Sequence, residues 1–289
     1  MKTKINLQDN YKAGVFFSII ASLFMALSAV TIKQVRHLPL VEIIFFRNIP
    51  TMFIVPIILK RMNVPLLGNN KPFLLFRGLV GLFAMLTTYY TFAIMPLTDA
   101  TTIHQLRAFF IFLFSNIFLK EKIYFRQIPF YLLAFLGGLL VIKPGLRIDI
   151  FPAIIAILAA IFMAASHITL RHLRLTDHYL VIINYFAYIS ELIILLILLF
   201  KNNFIIPNSS DLPILFLLGL FTLGAQIALT KAYQLSPANL VSLYTYSQII
   251  IASIFGLLFF SDIPDIYTAI GASFIIISGY LNYKVKKNN

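Results

Sequence analysis

The chain has 289 residues, 60% hydrophobic and 11% charged, with a mean hydropathy of +0.92, whereas a soluble domain carries about 25% charged residues. This is the composition of a membrane protein. At ~20 apolar residues per span, ten spans consume the length and exclude an appended nucleotide-hydrolysing domain. The net charge of +13 would suit nucleic acid, but the basic residues stand in ones to threes between apolar runs. They read as topology signals, so the expected partner is the lipid bilayer and no nucleic acid. With no cysteine, disulfides, thiol nucleophiles and thiolate metal sites are excluded.

Lys2 and Lys4 precede an apolar run from Ala13 to Ile32, which is longer than a signal-peptide core and reads as a retained first span. The remaining spans are expected at 39–59, 72–94, 97–119, 128–145, 150–170, 179–200, 212–235, 239–260 and 265–283. The short connections hold the breakers, among them Pro39, Pro65, Gly68, Pro96, Pro144, Pro207, Pro237 and Pro264. Of the 23 Lys and Arg, Lys33, Arg36, Lys143, Arg147 and Lys201 fall on one side and Arg47, Arg107 and Lys231 inside spans, leaving fifteen on the other side. By the positive-inside rule that side, which carries both termini, is cytoplasmic.

Shifting the chain by 138 lays 21–35 on 159–173 with six identities, Ala21/Ala159, Phe24/Phe162, Met25/Met163, Ala26/Ala164, Ser28/Ser166 and Thr31/Thr169. A shift of 141 then aligns Pro72/Pro213, Gly78/Gly219, Pro96/Pro237, Phe114/Phe255, Phe118/Phe259, Glu121/Asp262 and Gly138/Gly279. The expected fold is therefore all-α, ten transmembrane helices in two five-helix repeats, residues 13–145 and 150–283. Five is odd, so the second repeat is inverted. Inverted repeats are the architecture of alternating-access carriers, with the solute near the midplane. Small residues every fourth position, Ser18, Ser22, Ala26 and Ala156, Ala160, Ala164, mark faces where helices approach closely.

Two five-span halves, a Gly early in the third span of each (Gly78, Gly219), a Pro after it (Pro96, Pro237) and an acidic residue closing the fourth (Lys120-Glu121, Ser261-Asp262) resemble the EamA branch of the drug/metabolite transporter superfamily. Where many members have proline in the fourth span, Ala108 and Ile249 stand here. Within the superfamily the chain is similar to the S-adenosylmethionine uptake carriers of obligate intracellular bacteria. The resemblance implies a multi-pass secondary transporter of the bacterial inner membrane that takes up S-adenosylmethionine, with exchange for S-adenosylhomocysteine as a further expectation. The alternative is export of amino acids or related small metabolites.

Intramembrane polar groups are costly and mark solute paths. Arg47 lies ~12 Å inside span 2, Arg107 ~15 Å inside span 4 and Glu191 ~18 Å inside span 7. His104 shares a helix face with Arg107, which the 141 shift pairs with Gln248, and the 138 shift pairs Arg47 with Tyr185. The arginines suit a carboxylate, Glu191 a cationic group. Tyr89, Tyr185, Tyr188 and Tyr244, with Tyr90 and Tyr246, offer ring faces to a base or a sulfonium. Glu42, Asp99 and Lys231 fall near span ends and are expected at interfaces. No phosphate-binding loop, H-E-x-x-H or dinucleotide fingerprint occurs; no cofactor and no enzyme activity are expected. Nothing in the sequence sets an oligomeric state.

Overall fold

The computed structural model describes residues 9–287 apart from 36, 95–99, 101–102, 122–124, 143–149, 201–203 and 261–265. The helices are α1 (Tyr11–Gln34), α2 (Leu40–Arg61), α3 (Lys71–Ile94), α4 (Arg107–Leu119), α5 (Ile128–Ile142), α6 (Ile150–Leu173), α7 (Tyr179–Phe200), α8 (Asp211–Leu235), α9 (Ala238–Tyr244), α10 (Ser247–Phe260) and α11 (Ile266–Lys287). Among the described residues eight segments are long and apolar enough to cross a membrane, with α9 and α10 forming one of them, and the shorter apolar α4 and α5 complete ten. No strand occurs among the described residues. In hydrocarbon only structures that satisfy their own backbone groups persist, and helices do so within each segment. The outer surface is correspondingly apolar, with Phe16, Phe53, Phe118, Phe200 and Leu258 exposed.

The packing obeys a twofold relation between the halves. α1 lies on α8 as α6 lies on α3, and α3 contacts α7 as α8 contacts α2. α4 touches α6 as α10 touches α1, while α2 with α7 and α5 with α11 are pairs of equivalent helices. The match extends to side chains. Phe114 and Phe118 meet edge-on with centroids 5.6 Å apart, and their mates Phe255 and Phe259 do the same at 5.7 Å. Gly78 admits Ile189, and its mate Gly219 admits Pro50. The small-residue stripes of α1 and α6 are buried along their whole length.

Two spans differ from the expected continuous helices. The ninth is interrupted at Thr245-Tyr246, and the fourth turns at Gln105-Leu106 before α4 begins. Neither break has a proline. The ladder instead tightens to three-residue spacing at equivalent bonds, Ala108 N–H to the Gln105 carbonyl at 3.2 Å and Ile249 N–H to the Tyr246 carbonyl at 3.0 Å. In the ninth span the hydroxyls of Ser242, Thr245 and Ser247 each donate to the carbonyl three residues back, in competition with the regular ladder. The Tyr246 hydroxyl donates to the Gln105 carbonyl at 3.0 Å; these residues are mates under the 141 shift, so the two breaks meet at the pseudo-twofold axis.

At the α5–α11 crossing, a Cβ on Gly137 would stand 2.6 Å from the Gly271 carbonyl oxygen, and one on Gly271 2.5 Å from that of Gly137. Gly137→Val should therefore lower the free energy of unfolding in detergent by about 1–3 kcal/mol. Gly279→Ala, whose methyl would have its nearest neighbour at 3.4 Å, should cost nothing measurable in the same titration.

Candidate functional site

A cavity of about 180 Å³ lies between α2, α3, α6, α7 and α8, lined by Arg47, Arg77, Gly81, Ala84, Met85, Thr88, Tyr89, Met163, Ser166, His167, Phe186 and Gln226. Its α3 wall runs from ~9 Å to ~27 Å along the helix, so the cavity is centred on the middle of the span. Positions 77, 81, 85 and 89 follow at four-residue steps and share one face. Arg47 Nη1 donates to the Tyr89 hydroxyl at 2.7 Å and Nη2 to Met85 Sδ at 3.0 Å, while Nε is buried without a partner. Arg77 is 4% exposed, its Cζ is 4.8 Å from the centre of the Phe186 ring, and Nε and Nη1 are buried and unpartnered. His167 stacks on Tyr233 at 5.0 Å with Nδ1 unpartnered.

On the face of the protein that carries Asp9, a network of charge pairs joins the helix ends beneath this cavity. Arg171, at the end of α6, donates from Nε to Glu121 at 2.9 Å and from Nη2 to Asp9 at 2.7 Å, and Nη1 reaches the carbonyls of Tyr233 and Gln234. Arg174 shares Asp9. Glu121 accepts from the Ala238 N–H at 3.0 Å, placing a carboxylate on the positive end of α9 and guanidinium groups on the negative end of α8. Lys120 makes this possible: its left-handed backbone, φ 54°, closes α4 and turns Glu121 toward α9. Farther out, Asp177 accepts from the N–H groups of Asn69 and Asn70 at the start of α3. Burial pushes the Asp9 carboxyl up, but Arg171 and then Arg174 outweigh it and hold the group below its ordinary 3.8.

A family model for EamA-like transporters matches residues 12–143 and again 150–284. The chain belongs to the EamA-like transporter family. It is a multi-pass membrane transporter and not an enzyme. It is 29% identical to the pseudopaline exporter of Pseudomonas aeruginosa, over 96% of this chain and 99% of that one. It is 30% identical to solute carrier family 35 member G1 of Mus musculus, over 92% and 76%. It is 26% identical to the S-adenosylmethionine uptake transporter of Rickettsia prowazekii, over 96% and 95%. A solved crystal structure superposes with a TM-score of 0.87 at 14% identity, over 96% of this chain and 98% of that one, a likeness of fold alone.

Of the nine residues singled out from sequence, the cavity wall contains Arg47 and Tyr89. Arg107 opens α4 just past the break, with Nη1 4.0 Å from Sδ of the lining residue Met163. Glu191 is held by Asn48, whose Nδ2 donates to it at 3.0 Å, behind the α2 wall. The Thr91 hydroxyl donates to the Thr88 carbonyl, so His104 Nε2 is the donor in the 3.1 Å contact with Thr91; it ties span 4 to α3. Gln248 is half-buried beside the ninth-span break. The hydroxyls of Tyr185, Tyr188 and Tyr244 donate to the carbonyls of Leu67, Met52 and Gly279. Glu42, expected at an interface, is fully buried, because α2 packs its first turn inward. Lys231 Nζ sits 4.6 Å from the Tyr179 ring and 5.3 Å from that of Phe17, and Asp99 lies outside the described residues.

Arg77, His167, Phe186 and Gln226 escaped the sequence reading. Arg77, six residues into α3, counts naturally as a topology charge. The signal was Gly81 four residues on, a gap on the same face beside a long cation.

Removing one partner of a buried ion pair costs about 3–5 kcal/mol, so Glu121→Gln should loosen this closure. In this cysteine-free chain, buried Ser236 replaced by Cys reports on it: maleimide labelling should rise at least tenfold when Glu121→Gln is added. An unchanged rate would show that the network does not hold the face shut. A depressed carboxyl contributes above its free value and is lost as pH falls through the folded one. Labelling without Glu121→Gln, taken relative to a cysteine introduced on the exposed surface so that the loss of thiolate at low pH cancels, should therefore stay flat down to about pH 4 and rise only below the ordinary 3.8 of Asp9.

Proposed function

We propose that the chain is a secondary carrier of the bacterial inner membrane that moves a small carboxylate-bearing metabolite by alternating access, with the face carrying the termini in the cytoplasm. The observation that carries this reading is Arg47, a half-buried arginine whose Nε is buried and unpartnered in a mid-depth cavity, above a face crossed by charge pairs. A guanidinium in low dielectric recognises a carboxylate through paired, charge-assisted hydrogen bonds. The two halves, 13–145 and 150–283, rock against each other around this site, and the meeting of the fourth- and ninth-span breaks at the axis supports that motion. The excess of Lys and Arg on the terminal side supports the orientation.

Uptake of S-adenosylmethionine, in exchange for S-adenosylhomocysteine, is the second reading. It is supported by the Rickettsia relatives and by the rings of Tyr89 and Phe186 beside the guanidinium groups, which offer faces to adenine and sulfonium. In it Glu191 offsets the cationic end of the solute from behind Asn48. Export, the activity in the printed name of the Pseudomonas relative, is the third outcome of the same assay.

Purified protein in proteoliposomes, given radiolabelled carboxylates or S-adenosylmethionine with and without preloaded counter-solute, tests these readings. Arg47→Ala should reduce transport at least tenfold with insertion intact, and Arg107→Ala should do the same through the wall at Met163. Wild-type rates in Arg47→Ala would remove the carboxylate site.

A further inference from the structure

A long cation near the end of a span ordinarily extends toward the nearer interface, where water solvates it. Arg77 does the opposite. Its Cα is ~9 Å from the start of α3, yet its side chain runs inward: a Cβ on Gly81, one turn deeper, would stand 2.2 Å from Arg77 Nη1 and 2.9 Å from the Phe186 ring. Glycine at 81 leaves the space that the guanidinium fills. The charge ends near the middle of the membrane with Nε and Nη1 buried and without a partner. Arg47 contacts Met85 and Tyr89, one and two turns farther along the same face, which puts the two guanidinium groups roughly 6–9 Å apart along α3. The cavity lining contains both and no aspartate or glutamate.

Arg77 is a desolvated cation with no carboxylate in the cavity lining, which is strongly unfavourable, and Arg47, half-buried and within electrostatic reach of Glu191, shares the cavity and repels it. Building on the carboxylate-carrier reading, we propose that the solute is a dianion, a compact dicarboxylate of about four to six carbons, with one carboxylate on Arg77 and the other on Arg47, and that Gly81 sets the position of the first. The dicarboxylate supplies both counter-charges at once and spans the gap set by the four-residue steps of α3. The cavity has the volume of about six waters, enough for such a diacid, whereas a nucleoside-bearing solute would require it to enlarge.

The test uses the purified full-length protein and the unbranched dicarboxylates from malonate to adipate, with glutamine and S-adenosylmethionine as single-carboxylate probes. Binding is read as thermal stabilisation in detergent, and transport as counterflow of labelled succinate or glutarate in proteoliposomes. The middle of the series should stabilise the wild type and exchange; the half-amides of the same acids should bind at least tenfold more weakly. Arg77→Gln should abolish that preference for two carboxylates and raise the melting temperature of the solute-free protein, because an uncompensated buried charge is removed. Gly81→Ala, which keeps the charge and displaces it, should weaken diacid binding at least tenfold with melting of the solute-free protein near wild type. If glutamine or S-adenosylmethionine binds through Arg47 while diacids do not, and Arg77→Gln changes nothing, the dianion is wrong and the carrier reading stands. If no carboxylate of either kind binds and Arg47→Ala is silent, the carboxylate site itself falls.

Discussion

Hydrocarbon offers no hydrogen bonds, so each polar group carried into the membrane needs a partner within the protein, and this requirement organises the whole molecule. The hydroxyls of Ser18, Ser28, Thr88 and Thr169 return to carbonyls four residues back in their own helices. Tyr131, Tyr244 and Tyr246 span longer distances to the carbonyls of Asn239, Gly279 and Gln105, so that most tyrosines prominent in the sequence act as struts between helices. Several buried side-chain atoms among the described residues are left without a hydrogen bond, and the nitrogens of Arg47 and Arg77 are the ones that belong to guanidinium groups. They point into the same cavity, where a solute can provide what the protein does not.

The scaffold is symmetric and the chemistry is not. Helix pairs, the two span breaks and the phenylalanine pairs repeat between halves. The mate of Arg77 under the 141 shift, however, is Leu218, buried in an apolar cluster, and the mate of Arg47 is Tyr185, which donates to a loop carbonyl. Symmetric helix packing provides two halves with interchangeable contacts, which rocking requires. Both guanidinium groups come from α2 and α3, on one side of the axis, and α6, α7 and α8 of the other half complete the cavity. In the proposed carrier, closing and opening change the wall opposite the charges without moving the charges relative to each other.

The closure at the terminal face unites three separate features. Glu121 read as a weak acidic mark at the end of a span; the structure gives it two tasks, pairing Arg171, which joins α4 to α6, and capping α9. The left-handed turn at Lys120 aims it. Asp9 and the pair Arg171 and Arg174 are more than 160 residues apart in sequence and meet because α1 and α6 are mates with antiparallel directions, so that the start of one lies beside the end of the other.

Composition, the length of the apolar runs and the two shifts already specify ten helices, the inverted repeat and a carrier-type scaffold, because span length and parity follow from bilayer thickness and from counting. The place of Arg47 in the cavity wall was also legible, since a cation in mid-span tends to face a cavity. Arg77 was not: depth along a helix locates a Cα, while the destination of a flexible five-atom side chain depends on the gap at Gly81 and the ring of Phe186 on another helix. Likewise, the roles of Glu191, Tyr185 and Tyr244 depend on which carbonyl or amide a neighbouring helix or loop brings within 3.0 Å. The sequence by itself determined how many helices cross and how they are related; tertiary packing decided which of the buried polar groups are satisfied by the protein and which are left for a solute, because that depends on contacts between segments far apart in the chain.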